Sequence, residues 1–392
     1  MIVMSEPTSS KPMYEKIFDE VKESILTQAY KLGERVPSEK ELAETYNVSR
    51  ITSKKALELL AAEHLIIRKP GRGSFVADPA HEPADLPVGA GTSFSSINAE
   101  EKTIGLIITD FGNSYGTGLI YGMEQASRDN DCFLVLRRTF GIPENEEQSI
   151  QKLLNLGVDG LIVFPAQGEY FNAEILKLVI GRFPLVLVDR HLKGVAAASI
   201  SSNNLQAALE ATEYLFDLGH THISFLSPPP TDTTAVEDRI EGFIEAHARR
   251  GIMVDKELWV SDLTSTLPKL FNPDNIERDI SRLVSHLESY PSITALFAIE
   301  YNIALLAKTA VERLGLRIPE DISIICFDSP PTHLGGGYSF THMRQNEEEM
   351  GRIAVENVLR IMDGQSVPNK VMLEAELIPG NSTGPANPPR RL

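Results

Sequence analysis

Residues 34–76 read ERVPSEKELAETYNVSRITSKKALELLAAEHLIIRKPGRGSFV, and this stretch decides the fold of the N-terminal part of the chain. Ser38 is suited to cap a helix, with Glu41 three residues on as the other half of a capping box. The helix it opens carries Leu42, Ala43 and Tyr46 on one face. Asn47 breaks it, and Ser49 caps the next helix. There Ala56, Leu57, Leu60 and Ala61 recur at helical spacing. Arg50, Thr52, Ser53 and Lys54 are left on the other side, near the N-terminus. Two helices about a tight turn, the second offering polar and basic residues from its first turn, form a helix-turn-helix. Ile66-Ile67-Arg68-Lys69, a Pro70-Gly71-Arg72-Gly73 turn and Ser74-Phe75-Val76 read as a hairpin with a basic tip, a wing. A further helix over residues 14–28 carries Ile17, Val21, Ile25 and Leu26 at helical spacing and completes the unit.

The stretch resembles the winged-helix domain of the GntR family over about residues 14–76. It follows that family's G-x-x-LPSE-x-x-LA, V-SR-x-T-V-R-x-AL-x-x-L, EGLI and G-x-G-T-FV pattern, departing at Val36, Ser53, Lys54, His64 and Ser74. The resemblance implies operator DNA as the partner. Arg50 and Thr52 then touch base edges. Arg35, Ser38, Lys54 and Lys55 hold phosphates, Ser49 caps the recognition helix, and Arg72 with Gly71 and Gly73 enters the minor groove. Lysine at position 54 is a point charge and not a fork, which argues against bidentate guanine reading there.

With 392 residues, two or three domains are expected, and 42% hydrophobic residues suffice for real cores. The net charge of −17 is unevenly spread. Residues 1–80 hold 12 Lys+Arg and 12 Asp+Glu, so the remainder carries the whole excess. Within the first segment the cations concentrate at Arg50, Lys54, Lys55, Arg68, Lys69 and Arg72. A solvated basic face is the plain alternative, but all six fall on the expected recognition helix and wing. The acidic remainder is repelled by DNA. The N-terminus shows no signal-peptide pattern, and no apolar run approaches the ~20 residues of a membrane span. Cys132 and Cys326 lack metal-ligand spacing and read as buried thiols in a reducing compartment. A cytoplasmic, nucleoid-associated bacterial protein is therefore expected, with no metal and no cofactor.

Residues 79–102 are rich in Pro, Gly, Ser and Ala without a period, and read as a linker. Beyond them apolar runs alternate with helical patterns. Runs at 103–109, 132–136, 159–164, 185–189, 222–226, 295–298, 322–327 and 371–378 read as strands, with helices between. The alternation predicts an α/β fold built from βαβ units with parallel sheets. The strands are too many for one comfortable sheet, so two similar lobes are expected.

DGLIVF at 159–164, PLVLVDR at 184–190, YLFDLGHTHISFL at 214–226, DRIEGF at 238–243, ALFAIEYNIAL at 295–305, RIPEDISIICFD at 317–328 and FTHMRQNEEEMGRIAVE at 340–356 resemble the LacI-family effector domain, which is periplasmic-binding-protein-like. The fold class is then a winged helix-turn-helix (12–78) plus a two-lobed domain (103–380), followed by a tail at 381–392. By that resemblance the N-lobe comprises 103–202 and 340–363, and the C-lobe 203–338 and 366–380. The crossings fall near Ser202, Gly336 and Gly364. The pairing of the two domains resembles that of the arabinose-repressor family. It implies a homodimer on a palindromic operator and a sugar-like effector between the lobes. No hinge helix precedes the sensor, so the signal must pass the linker by another route.

Ligands of open α/β sheets bind beyond the carboxyl ends of the strands. That rule, with the R-x-x-G-F pattern of the family, selects Phe111, Asn113, Tyr115, Arg190, Arg239, Glu300 and Asp328 as effector-binding. Arginine forks, carboxylates and an aromatic face suit a polyol. Simpler roles are open to the same residues: Arg239 and Asp328 as a mere ion pair, Asp110 and Asp189 as strand-end caps, Phe111 or Tyr115 as lobe packing. The family usually has Asn-Asp where this chain has Glu300-Tyr301. An enzyme with a doubly wound domain and a regulatory DNA-binding head is the alternative function. Asp110-Phe111-Gly112 has no accompanying kinase motif, and no H-E-x-x-H, G-x-S-x-G or Walker lysine appears. His220 and His222 read as capping or packing residues. A solute-binding protein would call for a signal peptide.

Overall fold

A computed structural model describes residues 11–27, 29–63, 65–69, 73–77, 101–166, 172–230, 233–330 and 337–387. Gly71, Arg72, nearly all of the expected linker and Gly336 lie outside the described residues. The chain divides into two units, Met1–Phe94 and Ser95–Leu392.

The first unit holds α1 (Met13–Leu26), β1 (Arg35–Val36), α2 (Glu39–Thr45), α3 (Arg50–Ala62), β2 (Ile66–Lys69) and β3 (Gly73–Val76). Its antiparallel sheet runs β1-β3-β2. Ser38 caps α2: its hydroxyl accepts from Glu41 N at 3.3 Å, and the Glu41 carboxylate accepts from Ser38 N at 2.7 Å. Such a box contributes about 1 kcal/mol. Ile17, Val21, Leu42, Leu57, Leu60, Ile66 and Val76 close a single core. The fully buried Ser53 hydroxyl donates to Glu39 O at 2.7 Å, so serine in place of an apolar residue pins α3 to the start of α2.

The second unit runs β4 (Thr103–Ile108), α4 (Thr117–Asp129), β5 (Phe133–Arg138), α5 (Pro143–Leu156), β6 (Gly160–Val163), α6 (Ala173–Ile180), β7 (Leu185–Val188) and β8 (Ala198–Ser202). It continues with α7 (Asn204–Asp217), β9 (Ile223–Leu226), α8 (Thr234–Arg250), α9 (Pro273–Ser289), β10 (Ala295–Ala298), α10 (Tyr301–Arg313) and β11 (Ser323–Phe327). Finally come β12 (Thr341–Arg344), α11 (Glu347–Met362), β13 (Lys370–Leu373) and β14 (Glu376–Ile378). β4, β6 and β7 are apolar runs buried on both faces, as central parallel strands must be. α5 starts with Pro143 and ends at Gly157, whose φ of +88° is a left-handed cap.

Two sheets result: a parallel N-lobe sheet ordered β13-β8-β7-β6-β4-β5, and a C-lobe sheet ordered β14-β12-β11-β10-β9 in which only the β12–β14 pair is antiparallel. This pairing corrects the expected lobe bounds. β12 belongs to the C-lobe, whereas β13 belongs to the N-lobe. The 371–378 run is two strands, one in each sheet, broken at Glu374-Ala375. The crossings therefore lie at Asn203, at Gln345-Asn346 and at Glu374-Ala375. Neither Gly336 nor Gly364 marks a crossing: β11 and β12 on either side of the first share a sheet, and Gly364 follows α11 in a turn of φ +71° within the N-lobe. The expected tail is C-lobe structure through residue 387. Ser382 is fully buried, donates to Ile324 O at 2.5 Å and accepts from Thr341 N at 2.8 Å.

Candidate functional site

The first unit presents α3 with its N-terminal turn exposed. Ser49 caps that turn, accepting from Thr52 N at 3.2 Å, and its hydroxyl lies 2.9 Å from that of Thr52. Arg50 is exposed and forms no ion pair among the described residues. Ile51 beside it is 80% exposed, a position the sequence reading passed over. Lys54 lies 3.7 Å from Glu58, and Arg68 pairs with Glu39 and with Glu58. Lys55 Nζ sits 4.0 Å above the Tyr14 ring. Arg35 lies 3.6 Å from Glu41 and runs along Gly73, where an added Cβ would stand 3.0 Å from its Nε. Ser38 spends its acceptor on the capping box. The wing's basic tip, Gly71-Arg72, is outside the described residues.

In the second unit the strand ends converge. Tyr115, after β4, donates its hydroxyl to Asp189, after β7. Arg190 Nε reaches Asp189 at 3.3 Å, with its guanidinium 4.9 Å over Phe164. Arg239 lies in the second turn of α8, not at its start. It is buried, 3.6 Å over the Phe327 ring, and donates to Asn204 Oδ1 at 2.8 Å and to Ile299 O at 2.5 Å. Burial pulls its pKa down, while Asp328, Asp189, Tyr115 and Glu300 around it pull it back up. Asp328, after β11, accepts from Gln345 Nε2 at 2.8 Å, and burial lifts its carboxyl to about 7 against the pull of Arg239 and Gln345. Glu300, at the N-cap of α10, is also raised by burial; Thr266, Arg239 and Arg190 oppose the shift. Five of the seven expected effector residues thus meet: Tyr115, Arg190, Arg239, Glu300 and Asp328. Phe111 and Asn113 are exposed, and the rings beneath the two arginines are Phe164 and Phe327 instead.

Three features escaped the sequence. Glu347 reaches across from α11 and caps α4, accepting from Gly116 N at 2.6 Å and Leu119 N at 3.3 Å. Three hydroxyls, those of Ser227, Thr233 and Ser265, are fully or nearly fully buried, and each has an unpartnered oxygen; Glu300 Oε1 and Arg190 Nη1 are likewise sealed and unpartnered. The third is the way the crossings are tied. Ser202 Oγ donates to Gln345 Oε1 at 2.6 Å, Asn203 Nδ2 to Glu374 at 3.0 Å, and Asn204 Nδ2 to Ser202 O at 3.2 Å. Asp328 and Arg239 bond directly to this network through Gln345 and Asn204. The lobes also touch through Thr234 Oγ1 and His191 O at 3.4 Å and through the Lys193–Glu237 ion pair at 2.5 Å. His220 is a structural residue, bonded to Thr294 and to Gly384 O, both at 2.9 Å. No helix among the described residues is long and apolar enough to cross a membrane.

A capped recognition helix with a hairpin behind it, joined to two lobes around a buried polar cluster, defines a DNA-binding transcription regulator with a small-molecule sensor. Residues 13–76 match the gntR family of bacterial regulatory proteins, and residues 212–383 match the periplasmic binding protein-like domain. The chain joins a GntR-type helix-turn-helix head to a domain of that second kind. It is 27% identical to an arabinose metabolism transcriptional repressor of Geobacillus stearothermophilus, over 95% of this chain and 98% of that protein. A second protein of that description, from Halalkalibacterium halodurans, is 25% identical over 95% of this chain and 97% of its own length. Among solved structures, the transcription regulator CcpA of Lactococcus lactis superposes with a TM-score of 0.63 at 21% identity, covering 72% of this chain and 99% of that one. These relatives are transcription regulators, and the enzyme alternative is not supported.

Proposed function

We propose that this chain is a cytoplasmic repressor of carbohydrate-utilisation genes, which holds a palindromic operator as a homodimer and changes its grip when a sugar enters the cleft between the lobes. The observation that carries the reading is the bonding of cleft groups to the lobe crossings: Asp328 to Gln345, and Arg239 to Asn204. A ligand that engages Asp328 or Arg239 competes for the same polar atoms that set the interlobe angle. Binding energy is thereby converted into a change of domain posture. The names of the relatives, arabinose metabolism repressors, favour a sugar and repression.

On the DNA side, Arg50 is the group best placed to read base edges, since it is exposed and has no acidic partner among the described residues. Thr52, Arg35, Ser38, Lys54 and Lys55, together with the wing residues Gly71, Arg72 and Gly73, supply the remaining contacts. Ser49 sets the angle of the recognition turn. Arg50→Ala should weaken operator binding about fivefold or more in a mobility-shift assay, because a good base contact is worth ~1–3 kcal/mol. Its sugar binding by calorimetry should be unchanged. Equal operator affinity in the variant would refute the assignment.

A further inference from the structure

The roll of α3 about its own axis is fixed from inside the head. Ser53 is fully buried and donates its hydroxyl to Glu39 O at 2.7 Å, and Ala56, Leu57 and Leu60 continue the same buried face. At 3.6 residues per turn, Ile51 stands about 200° from Ser53, so its side chain points almost directly away from the core. It is 80% exposed, the most exposed large apolar side chain of the head among the described residues. Leu26 and Leu32, the next in order, lie outside α3.

One exposed apolar residue on a protein surface is ordinary. Position separates this one. Ile51 is the second residue of α3, in the turn that meets base edges in a helix-turn-helix. Lys54 and Lys55, three and four residues on, share its face. Arg50 beside it is exposed and forms no ion pair among the described residues. Local structure does not call for an isoleucine here. The turn is already secured by Ser49, which accepts from Thr52 N at 3.2 Å, and isoleucine forms helix less readily than alanine, lysine or glutamate. Nor does it add anything to phosphate binding. The major-groove edges of the base pairs offer a single apolar group, the C5 methyl of thymine.

We propose that Ile51 is a specificity-determining residue that packs on a thymine methyl group in the major groove of each half-site, so that the head demands thymine there and discriminates against cytosine and uracil. This deepens the operator-binding reading above and rests on it. Arg50 supplies the hydrogen-bonded part of the readout and Ile51 the apolar part, from adjacent positions of one turn.

The test uses the full-length protein and a duplex that the wild type selects from a random library. Each thymine of the selected half-site is replaced in turn, in both half-sites together, by deoxyuridine. That change removes the methyl group and keeps every hydrogen-bonding atom. Affinities are read by fluorescence anisotropy for the wild type, Ile51→Ala and Arg50→Ala, after thermal melting has confirmed that the variants fold. At one position the wild type should lose about fourfold per half-site, the worth of one buried methyl group. Ile51→Ala should bind the thymine duplex more weakly and respond to the same replacement by no more than about twofold, a coupling that a merely structural residue does not show. Arg50→Ala should bind more weakly yet keep the response. A selected half-site without thymine, a wild type indifferent to uracil at every position, or an Ile51→Ala protein with the full wild-type response overturns the proposal and leaves operator binding standing. So does an Ile51→Ala protein that binds every duplex as the wild type does but changes its oligomeric state in sedimentation, which assigns the residue to a contact with a second copy. If the wild type selects no duplex, the operator reading itself falls, and this inference with it.

Discussion

Asp189 and Asp328 occupy matching places, one past the end of β7 and one past the end of β11, and both take left-handed backbone, with φ of +70° and +59°. Aspartate tolerates that region better than most residues, yet two such positions facing one cleft mark conformations held for function. Asp328 also carries a cost in charge. Its carboxyl titrates at about 7 in the folded chain against an ordinary 3.8, because burial outweighs the help of Arg239 and Gln345. Between those two values the folded state keeps a proton that the unfolded chain has released. Stability should therefore fall as pH rises from about 4 to about 7, by at most ~1.4 kcal/mol per pH unit from this group, and level off above. Asp328→Asn removes the titration and preserves an oxygen for Gln345 to donate to. Urea unfolding at pH 5 and pH 8 should show the variant gaining on the wild type at the higher pH. Parallel profiles would mean that Asp328 stays ionised throughout.

Each lobe is clasped by a pair of helices crossing at glycine. In the N-lobe, α4 meets α11: a Cβ on Gly122 would stand 1.9 Å from Glu348 O, and one on Gly351 would stand 2.3 Å from Leu119 O. In the C-lobe, α7 meets α8, and a Cβ on Gly242 would stand 2.1 Å from Leu205 O. The obstructing atoms are backbone, so no rotamer change relieves them. Gly122→Ala should lower unfolding stability by about 2–3 kcal/mol, at the upper end of overpacking costs. Gly112→Ala, with open space around it and ordinary φ, should be near neutral in the same denaturation assay. A Gly122 variant as stable as the Gly112 variant would contradict the crossing geometry.

Elements of this kind were largely legible beforehand. The α/β alternation, the capped helices of the head and the two-sheet requirement all follow from period and cap residues. β8 and β12 did not show, because Ser199, Ser201, Ser202, Thr341 and His342 break the apolar run that marks a buried strand. Here those polar residues are buried all the same. Of the cleft, the strand-end charges Arg190, Glu300 and Asp328 could be read from position alone. Ser227, Thr233, Ser265, Asn204 and Gln345 could not. Hydroxyls and amides occur everywhere, and theirs gain meaning only from burial without a partner or from bonds between segments far apart in sequence.

On the scale of the whole molecule, the governing question is how a cleft in an acidic domain influences a separate, electroneutral head. Within the second unit the bonds that join the cleft to the crossings are defined. Three crossings are laced by Ser202–Gln345 and Asn203–Glu374, and Asp328 is tied to the same Gln345. Gln345 donates to the C-lobe carboxylate and accepts from the hydroxyl that ends the last N-lobe strand before the first crossing. A ligand that draws Asp328 toward itself therefore disturbs the joint in the same act. Couplings of this sort run to ~1–3 kcal/mol, or 5–150-fold in affinity. Gln345→Leu keeps the approximate volume but severs both bonds. It should leave operator affinity without sugar within about threefold of wild type, while the sugar-induced change in operator affinity collapses toward unity. The measurement is a set of operator titrations by fluorescence anisotropy with and without saturating sugar, with saturation checked calorimetrically for the variant itself. A variant that binds sugar and still shifts operator affinity by the wild-type factor would show that the signal leaves the cleft without passing through Gln345. Other direct contacts between the lobes, among them Thr234 with His191, Lys193 with Glu237 and Gly141 against Pro268, would then be the next place to look.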